Sequence, residues 1–167
     1  MKLFWELPAF CFLFTLMVKY AVRGGATDGL FFYPKQVQDR AIEIGLTDRE
    51  TMDRKRKAFM PLFFVVMTSA LILMTAVINR VDDLKTAYLQ SLLFLEVVNW
   101  YDRIVIDRIW VGYDRFWLLP KTEDLPYVQT WKQVLRKHSI LSLIWIFGAG
   151  VAAVLILFLS GIFKRLF

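Results

Sequence analysis

An uncharged run of 25 residues, Ser139 to Phe163, narrows what this chain can fold into more than any other feature. As a helix it would extend about 37 Å, more than the ~30 Å hydrocarbon core of a bilayer. No water reaches that core, so every backbone N–H and C=O in the run must be satisfied within it, and only a helix does this in a single segment. A second uncharged run, Ala58 to Ile78, has 21 residues, and a third, Leu3 to Val22, is broken only by Glu6 and Lys19. Glu6 and Pro8 interrupt the pattern of a cleaved leader, and no small-x-small site precedes Arg23, so this run reads as a retained span. A fourth run begins near Leu84 and crosses by about Ile106; the helix continues toward Trp117 and stops at Leu118, Leu119 and Pro120.

The sequence thus predicts one all-α membrane domain over residues 1–167, a four-transmembrane-helix bundle with spans near 3–22, 58–78, 84–106 and 139–163. Composition agrees: 57% of residues are hydrophobic against roughly 45–50% in soluble domains, which leaves no room for a separate soluble unit. The bilayer is the first expected partner. Gly148 with Ala152, and Ala149 with Ala153, have the small-xxx-small spacing that lets a neighbouring helix approach, so a homo-oligomer or a membrane partner is expected on the Gly148/Ala152 face.

Two longer connections join the spans. In the first, Pro34 opens a short helix with Val37, Ala41 and Ile44 on one face, ending at Gly45; Thr47 and Glu50 then form a capping box for a helix that runs into the second span. In the second, KTEDLPYVQTWKQVLRKH, Asp124 is the expected cap of another amphipathic helix, with Pro126 in its first turn and Val128, Trp131 and Leu135 on one face. Sixteen of the 21 Lys and Arg residues fall in or beside these connections and five on the other side, which predicts that both connections are cytoplasmic and both termini extracytoplasmic. The net charge of +6 is explained by this topology, so no nucleic acid partner is expected.

Residues Glu96 to Arg115, EVVNWYDRIVIDRIWVGYDR, are the anomaly, because they place charge on a span. On an α-helix, at about 100° per residue, Glu96, Asn99, Arg103, Asp107, Trp110 and Asp114 fall within an arc of about 80°. Ionisable groups at membrane depth turn toward the protein interior or a water-filled cavity, which makes Glu96, Asn99, Arg103, Asp107 and Asp114 the candidate ligand-binding residues. Asp102, Arg108 and Arg115 fall off the stripe and are expected at water or headgroups.

Two uses fit the stripe. In a structural network, Arg103 bonds Asn99 or Asp107, and Glu96 finds a Ser or Thr of the second span. In a cytoplasm-facing site, Glu96 lies deep, Asn99 and Arg103 in the middle, and Asp107 and Asp114 at the mouth; Arg103 would hold an anionic group of a lipid-like ligand, and Asp107 with Asp114 or Glu123 an ion such as Mg²⁺. An enzyme acting on a lipid phosphate or prenyl diphosphate is a second class, and an accessory subunit or oligomeric ion pathway a third. Catalytic residues and a cofactor are not identifiable. His138, the only histidine, reads as an interfacial residue, and a lone Cys11 rules out disulfide and Cys-pair metal chemistry.

The blocks YPKQVQDRAIEIGLTDRE, NWYDRIVIDRIW and LPKTEDLP resemble blocks in an uncharacterised family of small four-span bacterial membrane proteins. The resemblance implies a bacterial cytoplasmic membrane and a shared core around these blocks, and it brings no activity. Where the related form has P-G-T-E-D, this chain has Lys121 in place of the glycine, at a turn where glycine would be easier.

Overall fold

The computed structural model describes the backbone of residues 3–166 and the side chains of residues 3–161. Lys2, Lys164, Arg165 and the last two residues of the expected fourth span therefore lie outside the described side chains. Every regular element among the described residues is helical. In order these are α1 (Leu3–Ala21), a 3-10 helix (Ala26–Phe32), α2 (Lys35–Glu43), α3 (Arg49–Ile72) with a π-helical end (Leu73–Ile78), and α4 (Leu84–Tyr101) with a π-helical continuation (Asp102–Trp110). Two short turns follow, α5 (Val111–Tyr113) and a 3-10 turn (Arg115–Trp117), and then α6 (Trp131–Leu166).

Among the described residues, three helices are long and apolar enough to cross a membrane: Leu3–Ala21, Arg49–Ile78 and Trp131–Gly161. Their exposed surfaces fit hydrocarbon. On α6, Leu143, Phe147, Val151, Val154 and Phe158 make one exposed apolar stripe, the reverse of a helix on a soluble protein. Inside, Ala149, Ala152, Ala153 and Ile156 are buried, and α6 packs most heavily on α4. The small residues thus bring two helices of the same chain together, while the space beside Gly150 is open. The helix Leu84–Tyr101 is more polar and sits against both α6 and α1, burying Ala87, Ser91, Phe94, Val98 and Asn99.

Helix ends follow local chemistry, with some departures from the sequence reading. α2 forms as expected, burying Val37 and Ala41 and ending before Gly45 at φ 77. The cap of α3 is Asp48, whose carboxylate accepts from the Thr51 N–H at 2.7 Å, one residue beyond the expected Thr47 box. These bonds to Thr51 hold the Asp48 carboxyl below the usual range. The expected amphipathic helix from Asp124 does not form. Residues 121–130 are turns, and α6 starts at Trp131 behind a reciprocal Thr130–Gln133 box, in which Thr130 donates to the Gln133 amide oxygen and Gln133 N–H to the Thr130 hydroxyl. Trp131 and Leu135 are accordingly exposed, and Val134 is the buried residue.

The two connections fold onto each other. Tyr33 donates its hydroxyl hydrogen bond to the Trp117 carbonyl at 2.9 Å, Leu119 N–H donates to Tyr127 at 3.2 Å, and Thr122 bonds Tyr127. Burial beside Tyr127 pushes the Tyr33 hydroxyl well above its usual range, so it stays a donor. The result is a fixed aromatic floor in which Trp117 is completely buried.

Candidate functional site

A cavity of about 450 Å³ lies between α1, α3, the α4 continuation and α6. One wall is aromatic, with Phe10 and Phe14 from α1, Phe59 and Phe63 from α3, and Phe31 and Phe32 from the 3-10 helix. Each pair on α1 and α3 is four residues apart on its helix, which puts both rings on one face. The facing wall, from α4, its continuation and α6, is polar and is built by Asn99, Asp102, Arg103, Asp107 and Lys137. Phe64, Thr68 and Lys137 are exposed, so the cavity opens to the surface beside α3 and α6.

The polar wall owes its geometry to a change of helical winding. From Asp102 the chain closes i→i+5 hydrogen bonds, as in Val111 N–H to the Ile106 carbonyl. On an α-helix Asp102 and Asp107 would stand about 140° apart. In the π-helical segment both reach one guanidinium: Arg103 Nη2 lies 3.0 Å from Asp102 and Nη1 bonds Asp107 at 2.5 Å. Gln129 also donates to Asp107 at 3.0 Å, tying the second connection to the cluster.

The five residues of the predicted stripe go to three places. Asn99, Arg103 and Asp107 line the cavity together. Glu96 turns to α6 instead of the second span, accepting from Ser142 at 2.8 Å with His138 Nε2 at 3.6 Å. Asp114 caps the 3-10 turn through Phe116 N–H and accepts from Trp110 Nε1, and no group of three His, Cys, Asp or Glu among the described residues is placed to hold a metal. The His138 ring stacks on Trp100 at 3.8 Å, and its side chain is largely buried.

Two polar members escaped the sequence reading. Asp102 was expected at water or headgroups, and the π-helical winding brings its side chain, 20% exposed, into the cluster. Lys137 belongs to the basic trio Arg136, Lys137 and His138, and its position on the α6 face beside α4 is what distinguishes it. The phenylalanine pairs also escaped the sequence reading, although their four-residue spacing is the signal that could have found them.

No family model, no curated protein and no solved structure matches this chain. Roles for these residues therefore come from geometry alone.

Proposed function

We propose that this is a four-span integral membrane protein, with Leu84–Tyr101 as the additional span, whose intramembrane cavity binds a lipid-like amphiphile. The tail lies among the phenylalanines and the head at the cluster of Asn99, Asp102, Arg103, Asp107 and Lys137. The observation that carries this reading is the lining itself, mostly apolar, with its charged residues gathered on the α4 continuation and α6 and its phenylalanines on the facing elements. A volume of about 450 Å³ falls within the range of sites that enclose a small ligand, roughly 300–1,000 Å³. The count of basic residues supports a cytoplasmic position for the polar wall with both termini outside, and the resemblance of the sequence blocks supports a bacterial cytoplasmic membrane.

Binding without turnover fits the cluster best, because Arg103 is occupied by two carboxylates and is not free to hold an anionic group as the sequence alone had implied. Its role here is to fix the polar wall. Thr68 lines the cavity at an exposed position, so Thr68→Trp should fill the opening without disturbing the bundle. Native mass spectrometry of protein released from membranes should show one retained lipid adduct, lost in Thr68→Trp. Absence of an adduct from the wild type, or its persistence in the variant, would overturn the reading.

A further inference from the structure

The charged residues lining the cavity are Asp102, Asp107, Arg103 and Lys137, two acids against two bases. Arg103 is shared by both carboxylates, which leaves that trio with one net negative charge, balanced by the Lys137 ammonium. The polar wall is therefore formally neutral. An acidic head placed there would be desolvated beside two carboxylates, and like-charge juxtaposition of this kind is strongly unfavourable. The polar lining offers both kinds of partner: Arg103 and Lys137 are donors, the Asp102 and Asp107 carboxylates are acceptors, and the Asn99 amide is both. A hydroxyl group meets such a mixed set, because it donates once and accepts twice.

The size of the cavity limits the other end of the ligand. A cavity of about 450 Å³ lies near the lower end of the roughly 300–1,000 Å³ range of ligand sites, so it takes a single chain whose remainder lies in the opening. A two-chain phospholipid could insert only part of one tail.

We infer that the ligand is a single-chain amphiphile with an uncharged hydroxyl head, such as a long-chain alcohol, a monoacylglycerol or an isoprenoid alcohol. This rests on the amphiphile-binding reading and narrows it. Trp145 lines the cavity and serves as the reporter. The protein in phosphatidylcholine nanodiscs is titrated with bromostearyl alcohol, bromostearic acid and a brominated two-chain phosphatidylcholine, following tryptophan quenching. The alcohol should quench saturably, the acid at least tenfold more weakly, and the two-chain lipid without saturation. Trp145→Phe should remove a large share of the saturable part, the rest coming from Trp117, which also lines the cavity.

Asp102→Asn, which makes the polar wall net positive, should improve acid binding about tenfold relative to the alcohol. Competition by farnesol against monoolein then separates isoprenoid from acyl sources. Acid binding as tight as the alcohol, saturable quenching by the two-chain lipid, or no gain for the acid in Asp102→Asn would overturn the head or chain assignment and leave the cavity reading standing. If no probe quenches saturably, or Trp145→Phe leaves the saturable quenching undiminished, the cavity reading itself fails.

Discussion

Removing Arg103 tests whether the polar wall is a paired structural unit. The side chains of Asp102, Arg103 and Asp107 are 20%, 16% and 16% exposed, so solvent screens them weakly. Arg103→Met keeps much of the aliphatic packing and leaves two carboxylates facing each other across an apolar side chain. Breaking a buried pair in this way costs about 3–5 kcal/mol, because an uncompensated charge remains. Asp107 retains its bond from Gln129 and Asp102 loses its ion partner Arg103, which places the expected loss near the lower end, about 3 kcal/mol. Adding Asp102→Asn and Asp107→Asn to Arg103→Met removes both stranded charges and should restore most of it, since replacing a whole buried ionic group is often near neutral. Reversible unfolding in mixed micelles of a mild detergent and dodecyl sulfate gives both differences. An Arg103→Met protein within about 0.5 kcal/mol of wild type, the scale of an ordinary surface substitution, would refute the reasoning.

Three smaller predictions concern the frame around the site. Lys121 has φ 61, a left-handed conformation that glycine adopts without the Cβ penalty, so Lys121→Gly should stabilise the protein by about 0.5–1 kcal/mol in the same assay. A Cβ at Gly29 would stand 2.5 Å from Val22 Cγ1 and 3.2 Å from Phe32, beside the aromatic floor, so Gly29→Ala should destabilise it by about 1–3 kcal/mol. The Asp48 carboxyl is held below its usual range, so its cap contributes fully above the ordinary carboxylate value of about 3.9 and is lost as pH falls through the lower folded value. Hydrogen exchange at Thr51, measured at intervals below pH 5, should show protection falling at the acid end in wild type and no such fall in Asp48→Asn.

The apolar runs announced the helical architecture because the bilayer imposes one solution on them: the runs beginning at Leu3, Ala58 and Ser139 all lie in helices long enough to cross. The helix opened by Pro34 was legible for the same reason, a period of 3.6 bounded by Pro and Gly. What was not legible depends on winding and on partners distant in sequence. A wheel drawn at 100° per residue separates Asp102 from Asp107, and nothing in IVIDRIW announces the π-helical turn that joins them. Glu96 was on the predicted face, but its partner comes from Ser142, 46 residues away, instead of the adjacent span. The second connection misled because Asp124, Pro126 and the Val128, Trp131, Leu135 spacing obey helix rules locally. The chain instead uses that stretch to carry Tyr127 to Thr122 and Gln129 to Asp107, and starts its helix at the Thr130 box.

An experimental structure of the protein in lipid nanodiscs tests the amphiphile cavity most directly. The account predicts one elongated density between Phe14, Phe59 and Phe63, with its broader end within hydrogen-bonding distance of Asn99, Arg103 or Lys137. A cavity closed by side chains, or filled only with separate water-sized densities, would contradict it.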